Sequence, residues 1–130
     1  MEIGNLCLDT NTYSAFLAGN AAAITRLAQA ENVWMPAPVL GELRAGFAKG
    51  SKTATNEVML QEFLASKHVH VMPIGEAVTR CYAKIFDQLR KAGTPIPTND
   101  LWIAACVMHS GFPLYSLDAH FKHVDGIELI

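Results

Sequence analysis

The chain has 130 residues, of which 51% are hydrophobic and 17% charged, and its formal net charge is −2. This composition excludes an intrinsically disordered chain, and the length allows one domain, residues 1–130, with a real hydrophobic core. The negative charge argues mildly against nucleic acid as a partner, because nucleic-acid binders are usually basic, although metal ions at an acidic site would change the local charge.

The first half of the chain alternates short apolar segments with helical patterns. In order, it predicts a strand at 3–9, helices at 12–17 and 21–30, a strand at 32–35 and a helix at 38–48. Gly19 and Asn20 separate the first two helices, and Pro38 suits a first helical turn.

The second half continues the alternation. It predicts a helix at 55–66, a strand at 68–72, helices at 76–92 and 100–109, a strand at 114–117 and a final strand at 127–130. We expect Thr98 or Asn99 to cap the helix that starts at Asp100. Strands that alternate with helices predict an α/β fold with a short parallel sheet flanked by helices.

Membrane insertion and secretion are not expected. The longest apolar run, residues 101–108, is far below the roughly 20 residues that span a bilayer. The N-terminus carries Glu2 and no basic leader, so we expect no signal peptide. Cys7, Cys81 and Cys106 lie in apolar stretches without ligand-like spacing, which predicts reduced core residues of a cytoplasmic protein.

Four acids stand beside apolar segments. Asp9 and Asp118 follow predicted strands, and sites in parallel sheets form at the carboxyl ends of strands. Glu42 lies inside a predicted helix, and Asp100 lies in the first turn of another. Carboxylates are rarely buried without compensation of their charge. The four therefore predict a shared site for a hard cation such as Mg²⁺, which would orient water and stabilise a leaving oxygen.

Four segments that contain these acids resemble those of PIN-domain ribonucleases, specifically VapC-type toxins. The segments are Leu8-Asp9-Thr10-Asn11, Gly41-Glu42-Leu43-Arg44-Ala45-Gly46, Asn99-Asp100-Leu101-Trp102-Ile103-Ala104-Ala105 and Leu117-Asp118-Ala119-His120-Phe121. They occur in the family's order and cover nearly the whole chain. Each motif is weak by itself, and the four in sequence are specific.

The resemblance implies a PIN-like fold and an endoribonuclease that depends on Mg²⁺ or Mn²⁺. It also implies an RNA substrate, a cognate antitoxin of a type II toxin–antitoxin system and a homodimer. It places the catalytic positions at Asp9, Glu42, Asp100 and Asp118. It assigns metal binding to Asp9, Asp100 and Asp118, and support of the acids to the polar residues Asn11 and Ser116.

Three other functions were weighed. Asp9-Thr10-Asn11-Thr12 also resembles the aspartyl-phosphate loop of haloacid-dehalogenase-like phosphatases, but Asn11 cannot exchange a proton as that chemistry requires. A non-catalytic PIN-like binding module is disfavoured because all four acids are present. Metal-free RNA cleavage by His120 and His123 is disfavoured because nothing ties them to a nucleophile.

Further side chains are candidates for contacts with partners. Arg44, Lys49 and Lys52 cluster at one helix end, which is either solvated or a phosphate contact that positions RNA. Tyr13, Phe16 and Leu17 are predicted core in part, and any exposed remainder would form a groove for a partner helix. Trp102 is predicted to pack in the core beside the acidic site, and His68 and His70 are predicted to face solvent.

Overall fold

The structure, a computed structural model, describes residues 2–130. Its strands are β1 (Ile3–Leu8), β2 (Ala30–Pro36), β3 (Val69–Met72) and β4 (Leu114–Tyr115). Its α-helices are α1 (Thr10–Leu17), α2 (Ala21–Ala28), α3 (Ala37–Lys49), α4 (Thr53–Leu64), α5 (Glu76–Ala92) and α6 (Thr98–Ser110). A 3₁₀ helix, Ala119–His123, follows β4.

The strands form one parallel sheet in the order β3-β2-β1-β4. Cys7 of the central strand β1 pairs with Trp34 on one side and Leu114 on the other. Because all strands run the same way, their carboxyl ends share one edge of the sheet. The predicted α/β fold with a short parallel sheet is confirmed, and Asp9 is the first residue beyond this edge on β1.

Three predicted helix starts were two residues too late, and among them α4 begins at Thr53 rather than at residue 55. α1 begins at Thr10, because the Asp9 side chain accepts the backbone N–H of Thr12 and forms an N-cap that places Thr10 in the first turn. α6 begins at Thr98, with Pro97 rather than Thr98 or Asn99 at the N-cap position and no side-chain cap. Proline lacks an N–H and has a fixed φ, so it can precede a helix without leaving a donor unpaired.

The C-terminal strands are also shorter than predicted. β4 ends at Tyr115, because the Ser116 hydroxyl turns toward Asp9 and also accepts the backbone N–H of Asp118. A two-residue strand offers little for a further strand to pair with. Residues 127–130 therefore contribute only an isolated bridge between Leu129 and Leu114.

Side chains of the central strands and α6 form the core. Cys7 and Cys106 are buried in it, Cys81 is half-buried, and all three thiols are free. Burial raises the pKa of the Cys7 thiol to about 12 and that of Cys106 to about 11, so both stay protonated and unreactive at neutral pH. Within residues 2–130, no helix combines the length and hydropathy that a membrane span requires.

Candidate active site

The four predicted acids meet in one small cleft at the carboxyl edge of the sheet. The cleft has a volume of about 80 Å³ and is lined by Asp9, Thr10, Asn11, Glu42, Asp100, Ile103 and Asp118. Asp9 comes from the end of β1, Glu42 from α3, Asp100 from the first turn of α6, and Asp118 from the segment after β4. The cleft therefore forms where four different parts of the chain meet, and it brings together acids as far apart in sequence as Asp9 and Asp118.

Asp9 is the most buried of these acids, with only 3% of its surface exposed. Its Oδ1 accepts the Thr12 backbone N–H at 2.9 Å and lies 2.8 Å from the Thr12 hydroxyl, which donates to it. Its Oδ2 accepts the Ser116 hydroxyl at 2.5 Å. These donors compensate the buried charge and hold the carboxylate in one orientation.

Thr12 is a site residue that sequence reasoning missed. It is fully buried, and besides bonding Asp9 its hydroxyl lies 3.1 Å from the carbonyl oxygen of Tyr115 on β4. The signal was present, because Asp and Thr three residues apart form a reciprocal capping box at a helix start. The sequence pattern predicts a helix start at Thr12, so it does not place Thr12 in a cap with Asp9. Asn11 lines the cleft but is exposed, whereas Ser116 contacts Asp9 directly.

Glu42 is half-buried and projects from α3 into the cleft. The Thr10 hydroxyl donates to its Oε1 at 3.0 Å. Burial raises the pKa of the Glu42 carboxyl, the Thr10 hydrogen bond opposes that rise, and the negative charges of Asp100, Asp9 and Asp118 raise it further. The cleft thus destabilises the charged form of Glu42.

Asp100 and Asp118 share an imidazole. Nδ1 of His120 lies 2.8 Å from Asp100 Oδ2 and 3.2 Å from Asp118 Oδ1. Burial raises the pKa of Asp100, the hydrogen bond from His120 opposes the rise, and the charge of Asp118 adds to it. The hydrogen bond to Asp100 raises the pKa of His120. One atom from each of these three residues lies within 4.8 Å of the others.

This donor set fits a divalent cation. Carboxylate oxygens are the ligands that hard divalent ions prefer, and the cleft offers them from four acids. Burial raises the pKa of Glu42 and of Asp100, and repulsion by neighbouring carboxylates raises both further. A positive ion would relieve that repulsion.

The predicted RNA-contacting cations lie outside the acid-lined cleft. Arg44 donates two hydrogen bonds to the exposed carboxylate of Glu57 on α4, at 3.0 and 2.9 Å. Lys49 ends α3, Lys52 precedes α4, and both side chains are exposed. Lys49 and Lys52 therefore flank the α3–α4 turn, whereas Arg44 lies within α3 and pairs with α4.

The aromatic and apolar predictions need correction in part. Tyr13 is buried, whereas Phe16 is half-buried and Leu17 is 40% exposed, so only the last two offer surface. Trp102 is half-buried and stacks on Tyr82 of α5, with ring centroids 4.1 Å apart, so it packs between helices rather than beside the acids. His68 is exposed as predicted.

His70 does not simply face solvent. Its Nε2 lies 2.8 Å from Asn32 Oδ1, and its ring stacks on Trp34 at 4.6 Å between centroids. These contacts leave it half-buried. The alternation of residues along β3 predicted exposure, but it could not show that Trp34 of the neighbouring strand β2 lies beside His70.

Comparisons with known proteins agree with this geometry. The family model of the PIN domain matches residues 6–127. Ribonuclease VapC4 of Mycobacterium tuberculosis is 30% identical over 91 residues, which cover 70% of this chain and 70% of that protein. The family match spans all four acids of the cleft.

Solved structures share the fold. The VapBC-5 toxin–antitoxin structure from Mycobacterium tuberculosis superposes with a TM-score of 0.76 at 26% identity, covering 98% of both chains. The structure of VapBC2 from Rickettsia felis bound to a DNA fragment from its promoter superposes with a TM-score of 0.86 at 23% identity, covering 97% of both chains. Because its identity is only 23%, the similarity to the Rickettsia felis structure shows a shared fold and nothing more.

Proposed function

This chain belongs to the PIN-domain family, and from that membership we propose that it is a metal-dependent endoribonuclease, the toxin of a type II toxin–antitoxin pair. The observation that carries the proposal is the convergence of Asp9, Glu42, Asp100 and Asp118 in one cleft. The relatives it matches include a VapC ribonuclease and a VapBC complex. The family match also removes the phosphatase alternative, and the presence of all four acids disfavours a non-catalytic module.

Within this proposal, Asp9, Asp100 and Asp118 hold Mg²⁺ or Mn²⁺. The bound ion would polarise the scissile phosphodiester and orient the attacking water. Thr12 and Ser116 keep the Asp9 carboxylate aimed into the cleft. We assign proton transfer to Glu42, because a carboxylate whose pKa is raised is a stronger base than a solvated one.

We propose that the α3–α4 turn contacts RNA phosphates through Lys49, Lys52 and Arg44. Lysine and arginine contacts of this kind position the substrate without reading its sequence. Arg44 is paired with Glu57 through two hydrogen bonds, but both side chains are accessible to water, which screens the attraction between them. The guanidinium can therefore exchange Glu57 for a phosphate at little cost.

The proposal includes a cognate antitoxin, a homodimer and a cytoplasmic location. An apolar groove of about 550 Å³ is lined by residues that include Phe16, Ile24, Leu27, Val33, Phe63 and Val69. An apolar groove of this size suits a helix or extended segment of a partner. We propose that the antitoxin packs here and extends a basic residue toward Asp9, Glu42 and Asp100, since an arginine fork pairs well with carboxylates.

The decisive test uses the purified protein freed of antitoxin. We expect it to cleave single-stranded or loop RNA in the presence of Mg²⁺ or Mn²⁺ and to stop when EDTA removes the ion. Restoring the ion should restore cleavage. Undiminished cleavage in EDTA would refute metal dependence and revive the histidine pair as the catalytic group.

A further inference from the structure

His120 lies beside two acids of the cleft, and the proposed function gives it no role. Its Nδ1 reaches oxygens of both Asp100 and Asp118, at 2.8 and 3.2 Å. The imidazole is 47% exposed, so neither burial nor packing forces it against these acids. It bridges two of the three carboxylates assigned to the metal.

The 3₁₀ helix that carries His120 is anchored at both ends. The Asp118 carboxylate accepts the backbone N–H of His120 at 2.9 Å, and the Phe121 side chain is buried in the core. On the far side, Gln88 of α5 donates to the carbonyl oxygen of His123 at 3.0 Å and accepts the N–H of Asp125 at 3.1 Å. The imidazole is therefore presented to the acids by a fixed backbone.

We propose that His120 Nδ1 joins Asp9, Asp100 and Asp118 as a fourth protein ligand of the divalent ion, on the side of Asp100 and Asp118, an inference that rests on the proposed metal site. Around an octahedral ion with bonds of about 2.0–2.1 Å, ligands at right angles lie about 3 Å apart. The measured separations of Nδ1 from the two oxygens bracket this value. Neutral imidazole has a lone pair on one ring nitrogen, so Nδ1 can ligate an ion when Nε2 carries the proton.

A nitrogen ligand changes which ion the site prefers. Mg²⁺ takes oxygen ligands almost entirely, whereas imidazole binds transition metals well, and affinity rises along the first-row series from Mn²⁺. A site in which His120 joins the carboxylates should thus favour Mn²⁺ over Mg²⁺ more strongly than a site made of carboxylates and water. His120 would be the residue that sets this preference.

The test detects the ligand nitrogen itself. The protein, freed of antitoxin, is loaded with Mn²⁺ and examined by pulsed electron paramagnetic resonance for a ¹⁴N coupling to the ion. We expect the coupling in the wild type, its conversion to a ¹⁵N signature on labelling with ¹⁵N-histidine, and its loss in His120→Gln. The matched control is His123→Gln, an exposed histidine of the same 3₁₀ helix, which should keep the coupling.

Binding constants give a second measurement. We expect His120→Gln to weaken Mn²⁺ binding at least about tenfold while Mg²⁺ binding changes much less, and His123→Gln to alter neither. Mn²⁺ binding without nitrogen coupling in the wild type, or coupling that survives His120→Gln, would overturn the inference and leave the metal site standing. Failure of the wild type to bind Mn²⁺ at all would overturn the metal site and this inference together.

Discussion

Asp9 serves two purposes, since its carboxylate caps α1 and also faces the cleft. One oxygen bonds Thr12, whereas the other bonds Ser116 and lies beside the remaining acids. The capping requirement alone can be met by asparagine, because an amide oxygen accepts the same backbone N–H. Under the proposed function, the negative charge serves to bind the cation.

This separation makes Asp9→Asn an informative change. We expect RNA cleavage to fall at least about a hundredfold, the scale on which loss of one electrostatic group in an active site acts. The far-ultraviolet circular dichroism should stay that of the wild type, because α1 keeps its cap. Asp87→Asn, at an exposed ion-paired acid of α5, should cleave normally. Wild-type activity in Asp9→Asn would refute the assignment of the site.

Burial of Glu42 and Asp100, together with repulsion among the acids, predicts a pH dependence of stability. The pKa of Glu42 is raised in the folded state, so the folded protein holds that proton at pH values where the unfolded chain has lost it. Glu42 therefore lowers the free energy of unfolding as pH rises from its ordinary value of 4.5 through the raised value. The pKa of Asp100 is also raised in the folded state, so Asp100 too lowers the free energy of unfolding as pH rises above its ordinary pKa of 3.8.

Glu42→Gln should isolate this effect, because the amide oxygen can still accept the Thr10 hydroxyl. In EDTA we expect the variant to be more stable than the wild type at neutral pH, and the difference to vanish as pH approaches 4.5. Urea unfolding at a series of pH values measures both. Added Mg²⁺ should reverse the order at neutral pH, because only the wild type keeps the full negative charge. A stability difference that is independent of pH would contradict this account.

Helix α1 packs on α4 through a side chain with an unpaired group. Tyr13 is buried, and the edge of its ring contacts Phe63 with the ring centroids 5.1 Å apart. Within residues 2–130, its hydroxyl has no hydrogen-bond partner. A buried polar atom without a partner costs about 1–3 kcal/mol. The hydroxyl therefore contributes nothing to the contact between the two helices.

Tyr13→Phe should leave the free energy of unfolding unchanged or raise it by about 1 kcal/mol, because it removes the unpaired hydroxyl and keeps the ring. Urea unfolding measures this. Phe63→Leu, which disturbs the same ring contact without removing a polar group, should destabilise instead. A loss of stability in Tyr13→Phe would show that the hydroxyl is satisfied.

Two glycines, Gly93 just after α5 and Gly46 inside α3, should respond oppositely to replacement by alanine. Gly93 ends α5 with φ of +71°, a left-handed conformation in which a side chain is strained, so Gly93→Ala should destabilise by about 1–2 kcal/mol. Gly46 lies inside α3 with open space around it, so Gly46→Ala should stabilise by about 0.5–1 kcal/mol. Thermal unfolding of both variants checks the pair, and equal shifts would contradict the explanation.

The molecule keeps its acidic cleft and its apolar groove as separate features. The cleft lies at the carboxyl edge of the sheet, and the groove lies among α1, α2, α4 and strands β2 and β3. Ile24 lines the groove and is 44% exposed, whereas it is absent from the lining of the cleft. Inhibition by the proposed antitoxin and cleavage of RNA should thus be separable by mutation.

Ile24→Asp should abolish inhibition by the cognate antitoxin, since a buried charge at an interface costs several kcal/mol. RNA cleavage by the free protein should stay within about twofold of the wild type. Val58→Asp is the control, because Val58 is an exposed apolar residue that does not line the groove. Co-expression followed by a growth assay and a cleavage assay distinguishes them. Full inhibition of Ile24→Asp would place the antitoxin elsewhere.

The sequence by itself determined the alternation of strands and helices, and it predicted that the four acids share a site. Both follow from local information, since hydrophobic periodicity and the position of an acid after an apolar run need no knowledge of distant residues. The resemblance of four segments to a known family also implied that Ser116 supports the acids, but only tertiary structure showed which atoms meet. Ser116 meets Asp9 across 107 residues and His120 meets Asp100 across 20, and it is the parallel sheet and the buried Phe121 that bring them together. Contacts of this kind depend on how elements pack, so no local pattern of residues contains them.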